Sequence, residues 1–475
     1  MDIVRQSTKC GRWLRMLGDA LAMVLAISVP CGAVTVPEAA QPKLTTLYSF
    51  PGGGAGGFVE AGLVLNSTSG VLYGTTADGG LYGWGSVYQL VPGAGGVWTE
   101  TVLYSFNPIN VPGDGASPQA GLVLSSSGVL YGTTTFGGTS DDGTVFELLP
   151  KAGGGPWTEK VLYSFTGSAV SPVDGAEPEA GLFLNTTSGV LYGTTYAGGT
   201  AGFGTVFQVV PAGGGKWTEK VLYSFTGLAD GGNPVAGVTQ ATSQVLYGTT
   251  YTGGVLAGST AGGGFGTVFE LVPAAGGVWT ETVLYSFGGT VASPTNGTDG
   301  SDPESGVTLH YVKTANGTSI VLYGSTFWAG SSTGCPLGGY AAGCGTIFSL
   351  TSPTTSGTPW TFAVLYTFTG TGIDGAHPTQ DLSFTTSGLL YGTTFSGGST
   401  TDQCFGASYL GCGTIFLLKS TTSGPWTETV LHVFDGDDGG GPNGLVPGAS
   451  GIYYGSTYVG GTAGGYGSVF QLTPP

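Results

Sequence analysis

Hydrophobic residues along this chain fall in short runs separated by Gly, Ser, Pro and Asp. One stretch shows the pattern in full: AGLVLS at 120–125, GVLYGTT at 128–134, GTVFELL at 143–149 and WTEKVLYSF at 157–165. Each run is rich in β-branched and aromatic residues and is bounded by turn formers, which predicts four successive strands, A to D. No segment sustains a helical 3.6-residue period.

The four-strand unit recurs. A tetrad Tyr-Gly-Thr/Ser-Thr begins at Tyr73, Tyr131, Tyr192, Tyr247, Tyr323, Tyr391 and Tyr454, and each copy is followed by Gly-Thr/Ser-Val/Ile-Phe/Tyr. Trp-Thr comes next in six repeats, from Trp98 to Trp426, and five residues beyond each Trp lies Leu-Tyr-Ser-Phe or a variant of it. A period of roughly 60 residues with four strands per repeat fits propeller blades. The last repeat stops after strand C, while Leu47–Phe50 is a strand D with no A, B or C before it. The two fragments make one blade, and an N-terminal strand docking there closes the ring without a long free edge. The expected fold is all-β, a seven-bladed β-propeller of four-stranded blades closed by the N-terminal strand.

Composition supports a folded chain. Gly (93) and Pro (26) are abundant and charged residues reach only 8%, yet hydrophobic residues are 40% and aromatics 12%, enough for a real core. Gly follows no three-residue period, which excludes collagen. Too few Lys, Glu and Arg are present for a coiled coil.

Residues 1–33 read as a secretory signal peptide. Arg5, Lys9, Arg12 and Arg15 precede the apolar run Ala20–Val29, with Ala33 as a cleavage residue and Ala40 as the alternative. The run is shorter than the roughly 20 residues a membrane span needs, and no second one follows, so no membrane insertion is expected after cleavage. Residues 34–44 read as a linker and 45–475 as a single propeller domain, expected to be a secreted or cell-surface monomer. Every Arg leaves with residues 1–33, and the rest of the chain is acidic with seven scattered Lys. Nucleic acid is therefore excluded as a partner.

The order Tyr-Gly…Gly-Gly…Gly-Thr-Val-Phe…Trp-Thr…Leu-Tyr-Ser-Phe resembles the GloVer (Gloeobacter/Verrucomicrobia) tandem repeat of secreted bacterial proteins, over residues 45–475. It is more loosely similar to the kelch blade, with a Gly pair after strand B and a Trp before strand D. The GloVer resemblance implies export and often a C-terminal sorting anchor, but this chain ends at Pro475 with no apolar tail. It implies no chemistry.

Candidate function is sought where the repeat breaks. Between the two tetrads the B–C loop has 8 residues in blades 1–3, then 15, 18 and 18 in blades 4–6, and 9 in blade 7. Long loops on a rigid scaffold are where binding sites concentrate. Cys335 with Cys344 and Cys404 with Cys412 lie in these loops at equivalent positions, which in an exported chain predicts two local disulfides. Phe327, Trp328, Tyr340, Phe405 and Tyr409 in the same loops are candidate ligand-binding aromatics that could stack on sugar rings; the competing reading has them packing the loops onto the propeller.

Asp435, Asp437 and Asp438 form the densest acidic cluster, with Ca²⁺ binding or a solvated turn as its two readings. The Asp-Gly pairs at Asp114, Asp174, Asp230, Asp299 and Asp374 read as turns, with Ca²⁺ as the alternative there too. The Glu two residues after Trp, in five blades, reads as a solvated strand residue. No other cofactor is expected.

Catalytic signals are weak. The G-x-S-x-G match at 330–334 lies between strands rather than at a strand-to-helix elbow, and the three His occupy different repeat positions. Asp299, Asp302, Glu304 and Asp374 could serve glycoside hydrolysis only through their nearness to the large loops. The sequence thus favours a non-enzymatic binding scaffold recognising a glycan, another surface polymer or a protein through the B–C and D–A loop face of blades 4–6. An exported polysaccharide hydrolase or lyase, and a structural envelope protein, stay open.

Overall fold

A computed structural model describes residues 41–475 apart from 152–154, 156, 170–172, 256–262, 289–297, 315–316, 331–334, 336–342, 356, 386, 400–403, 405–410, 422–425 and 475. The expected signal peptide lies outside the described residues.

The chain is an all-β, seven-bladed propeller. Each blade is an antiparallel sheet in the order A-B-C-D, as in blade 3: Phe183–Leu184, Leu191–Thr195, Thr205–Pro211 and Trp217–Ser224. Strand D bears a bulge against strand C in every blade, as at Leu222, left unpaired between Val221 opposite Phe207 and Tyr223 opposite Val206. The extra residue adds local twist at the outer edge of the sheet. Blade 7 takes its strand D from the N-terminus, where Lys43–Ser49 pairs antiparallel with Ser468–Thr473. The ring therefore closes as the sequence requires.

The repeated aromatics are the core. At every junction between neighbouring blades the Phe after strand D meets the strand C aromatic of the next blade: Phe50 with Tyr88, Phe106 with Phe146, and so on to Phe434 with Phe470, at centroid distances of 4.9–5.3 Å. These edge-to-face contacts are favoured by the ring quadrupole. The tetrad Tyr packs on the Trp of the next blade at six junctions, for example Tyr73 on Trp157 at 6.0 Å. Blade 7 has no such Trp, and there Tyr391 packs on Tyr453 at 4.5 Å.

The tetrad glycine is explained by the same packing. A Cβ on Gly193 would lie 2.5 Å from the Phe207 ring, and the equivalent clash recurs at Gly132, Gly248 and Gly324. The tetrad hydroxyls bridge blades: Thr75, Thr133 and Thr194 donate to the carbonyls of Ala120, Ala180 and Ala236 on the next inner strand. Ser456 does the same to Ala61 at 2.9 Å, joining blade 7 to blade 1.

Candidate binding channel

The D–A and B–C loops share one face, because Gly115–Ala116 pairs with Phe136–Gly137, and Gly175–Ala176 and Gly375–Ala376 make equivalent ladders. On that face the chain entering each blade bends at one residue of positive φ: Phe58, Ser117, Glu177, Asn233, Asp302, His377 and Gly441. Its N–H donates to the carbonyl just before strand C of the preceding blade, in the pairs Phe58–Tyr466, Ser117–Trp84, Glu177–Asp142, Asn233–Phe203, Asp302–Phe265, His377–Cys344 and Gly441–Cys412. This latch recurs at all seven junctions and fixes the next two residues of the chain.

Two residues after each latch comes the position that faces the propeller axis. Glu60, Gln119, Glu179, Val235, Glu304, Thr379 and Asn443 together line a cavity of about 670 Å³ at the loop end of the central channel. Deeper in, glycines of successive inner strands crowd one another: a Cβ on Gly121 would sit 3.3 Å from the Gly62 carbonyl oxygen, and one on Gly237 2.6 Å from that of Gly181. In blade 6 Asp381 stands in this register and accepts the Gly306 N–H at 2.7 Å.

Acids therefore converge on the axis from blades 1, 3, 5 and 6. Burial, opposed by a hydrogen bond from Gln119 and reinforced by Asp78 and Glu179, raises the Glu60 carboxyl to about 7. Burial and the neighbouring Glu177 bring Glu179 to about 7. Glu304 rises to about 8, through burial first and then the charges of Asp302 and Glu179. The ion pairs formed among the described residues, Lys160–Glu147 and His432–Asp438, bring no cation to the channel. Burial first, and then the charges of Glu60 and Asp78, raise the Tyr458 phenol, whose ring lies 5.5 Å from that of Phe58. Such carboxyls hold their protons near neutral pH and can both donate and accept hydrogen bonds.

Of the residues singled out from sequence, Glu304 lines the channel, while Phe327 and Trp328 lie elsewhere. Phe327 is buried and Trp328 half-buried; both rings pack on His377 with centroids 4.6 Å away. His377 is fully buried, bonds Ser396 Oγ at 2.7 Å, and is held neutral by burial, its pKa lowered to about 3. Tyr340, Phe405 and Tyr409 lie outside the described residues, as does most of the G-x-S-x-G segment. The two expected disulfides are formed, Cys335–Cys344 and Cys404–Cys412. Cys344 and Cys412 stand where Trp84, Phe203, Phe265 and Tyr466 stand in other blades, so each disulfide replaces an aromatic side chain just before strand C.

Of the acidic cluster, Asp438 pairs with His432 Nε2 at 2.7 Å, and Asp435 accepts the backbone N–H groups of Asp437 and Asp438. No group of three or more His, Cys, Asp or Glu among the described residues is placed to hold a metal ion.

Two readings need correction. The Asp residues of the Asp-Gly pairs do more than shape turns: Asp114, Asp174, Asp230, Asp299 and Asp374 each accept a strand D tyrosine hydroxyl. The strand D glutamates are not fully solvated, because one oxygen of each of Glu100, Glu159, Glu219, Glu281 and Glu428 is buried. Neighbouring outer strands cover these oxygens.

Glu60, Glu179 and Asp381 carry no break in the repeat to mark them, and Glu304 stands out in the sequence only through its nearness to the large loops. The signal lay within the repeat: the residue before Ala/Ser-Gly is Glu60, Gln119, Glu179, Val235 and Glu304 in blades 1–5. Equivalent positions on the inner strands of a ring must meet at its axis.

Fold and site together define a seven-bladed propeller with a polar, acid-lined channel mouth. The Gloeobacter/Verrucomicrobia repeat matches residues 61–332, more than half of the chain, and the chain belongs to that family. No curated protein matches it in sequence. Among solved structures it is similar to a putative 6-phosphogluconolactonase from Bacteroides uniformis, at 14% identity, covering 82% of this chain and 88% of that one, with a TM-score of 0.44. It is also similar to a putative oxidoreductase (glucose dehydrogenase) from Thermus thermophilus, at 15% identity, 75% and 96% coverage and a TM-score of 0.34. The two disulfides fit an oxidising compartment. No helix among the described residues is long and apolar enough to cross a membrane.

Proposed function

We propose that the chain is an exported, non-catalytic binding module whose ligand, the hydroxyl-rich end of a glycan, enters the central channel from the loop face. The observation that carries this reading is the convergence of Glu60, Glu179, Glu304 and Asp381 with Gln119 and Gln380 around one cavity of about 670 Å³. Carboxyls poised near neutral pH, beside amides, match sugar hydroxyls, which also donate and accept. The enlarged loops of blades 4–6 border the same face and are a secondary contact surface for a longer polymer.

The test is depletion of the full mature chain on a panel of insoluble polysaccharides, with Ca²⁺ and with chelator, comparing wild type with Glu179→Ala/Glu304→Ala and with Trp328→Ala. Retention lost in the channel variant and kept in Trp328→Ala supports the channel. The reverse moves the site to the loops, and no retention on any polysaccharide removes the glycan. Loss of retention in chelator would bring in Ca²⁺.

A second reading, a polysaccharide hydrolase or lyase, is favoured by the same raised carboxyls, since a general acid needs a pKa near its working pH. Soluble sugar released in these incubations, and abolished by Glu304→Gln, would establish it.

A further inference from the structure

The junctions between blades contain a repeated polar network that neither the fold nor the channel accounts for. Tyr104 donates its hydroxyl hydrogen to Asp114 at 2.9 Å, Tyr163 to Asp174 at 2.5 Å, Tyr223 to Asp230 at 3.0 Å and Tyr366 to Asp374 at 3.4 Å. Against each pair the next blade sets its strand D glutamate: Glu159, Glu219, Glu281 and Glu428, respectively. Glu100 of blade 1 faces two phenols in place of a tyrosine–aspartate pair, Tyr48 and the buried, unpartnered hydroxyl of Tyr88. One carboxyl oxygen of each of these five glutamates is buried without a hydrogen-bond partner.

A buried carboxylate beside a second carboxylate, with no counter-ion, is costly. The groups facing each glutamate are acids and phenols throughout. Glu159 meets Tyr104, Asp114 and Glu147; Glu219 meets Tyr163 and Asp174; Glu281 meets Tyr223, Asp230 and Glu270; Glu428 meets Tyr366 and Asp374. The two nearby lysines are turned elsewhere, Lys160 to Glu147 and the Gly215 carbonyl, Lys220 to the Gly277 carbonyl. At the Glu159, Glu219 and Glu281 junctions the tyrosine spends its only hydrogen on the aspartate, so its oxygen can accept a proton from a neutral glutamic acid; Tyr366 reaches both Asp374 and Glu428.

We propose that ring closure is proton-operated: each of these junctions holds one proton on its strand D glutamate, and the blades loosen against one another when rising pH removes it. Burial, as the first cause, places the five carboxyls at about 7 for Glu100, Glu281 and Glu428 and about 8 for Glu159 and Glu219. A native pKa above the ordinary 4.5 means that the folded chain binds these protons more tightly than the unfolded one. The added stability is complete below about pH 4.5, declines as pH rises through 7 to 8, and is gone above that.

The junctions that lack the glutamate support the assignment. Where blade 7 has Leu44 at that position, the facing tyrosine is replaced by His432, which pairs with Asp438 at 2.7 Å. Where blade 5 has Phe362, the ring stacks on Tyr285 instead. At the blade 5 junction Tyr285 keeps its bond to Asp299 and only the glutamate is replaced.

The test uses the full mature chain and the variant carrying Gln at positions 100, 159, 219, 281 and 428, melted from pH 4.5 to 9. The wild-type Tm should fall with rising pH, and the variant should lose most of that fall and melt above wild type at pH 9. A flat wild-type profile, or an equal fall in the variant, would overturn the proposal. The channel acids also bind protons, so Glu60→Gln/Glu179→Gln/Glu304→Gln measures their separate share. Should the five-fold variant not fold, infrared spectra of wild type decide. A band of protonated side-chain carboxyl at pH 6 that vanishes by pH 9 and survives in Glu60→Gln/Glu179→Gln/Glu304→Gln supports the proposal, and its absence from that variant at pH 6 overturns it.

Discussion

Phe362 lies flat against Tyr285, with ring centroids 3.9 Å apart and planes 6° from parallel, at the position where every other Trp-bearing blade carries glutamate. Phe362 also reaches Phe287 and Phe348, at 6.0 and 5.7 Å, so this junction is sealed by an aromatic cluster where its neighbours use a proton. The tyrosine keeps its bond to aspartate in both cases, Asp299 here at 2.9 Å. Only the third partner changes.

Phe362→Glu therefore converts an apolar junction into a titrating one. Loss of the ring should cost about 3 kcal/mol at any pH, the usual scale for a truncated core aromatic. A further loss should appear between pH 5 and 8, because the new carboxylate would ionise beside Asp299. Urea denaturation at the two pH values measures both terms. Equal losses at pH 5 and 8 would show that the junction tolerates a buried charge.

The disulfides should act locally. Each closes a loop of 8 or 9 residues, for which chain entropy gives about 2.5 kcal/mol. Cys344 and Cys412 are fully buried and Cys335 nearly so, and reductant should reach them slowly without denaturant. Cys335→Ser/Cys344→Ser should lower Tm by a few degrees and leave the ring intact. It should also raise proteolysis near His377, whose Nε2 lies 3.6 Å from the Cys335 sulfur. Mass-mapped limited proteolysis checks this.

Ring, blade order and aromatic seams were legible because each is a local signal repeated seven times, and repetition separates pattern from chance. The tetrad shows why: one Tyr, one Gly and two hydroxyl residues face four different neighbours, so none can drift freely. The channel was harder to see. Glu60 and Glu304 are 244 positions apart in the chain, and nothing local marks them as neighbours until the ring is closed and the inner strands are set on one axis. The junction glutamates were misread for a related reason. Alternation along strand D places Glu159 outward from its own sheet, and the outer strand of the preceding blade faces it.

Gly193→Ala tests the close approach inside a blade. The new methyl would meet the Phe207 ring and the Leu182 side chain, both within 3.0 Å. Overpacking of this kind costs about 1–3 kcal/mol. Adding Phe207→Leu should recover part of it, a coupling that a double-mutant cycle would measure. Strictly additive losses would mean that the Phe207 ring is not what the new methyl meets.

Closure of the ring rests on the strand Lys43–Ser49 and on Phe50, whose ring meets Tyr48 and Tyr88 at 5.0 and 4.9 Å. A chain begun at residue 51 would leave Ser468–Thr473 with an unpaired edge and expose Val469 and Tyr88, both fully buried in the intact ring. An edge of this length is a template for pairing with another chain. The truncated protein should form concentration-dependent oligomers on size-exclusion chromatography. A synthetic peptide of residues 41–50 added in trans should restore the monomer by pairing with that edge. Substituting Leu47 and Phe50 of the peptide by Asp should abolish the rescue, because these side chains enter the core while the backbone pairing is unchanged. Rescue by the substituted peptide would show that edge pairing alone closes the ring. A truncated chain that stays monomeric and melts like the full one would show that six complete blades hold the arc without closure.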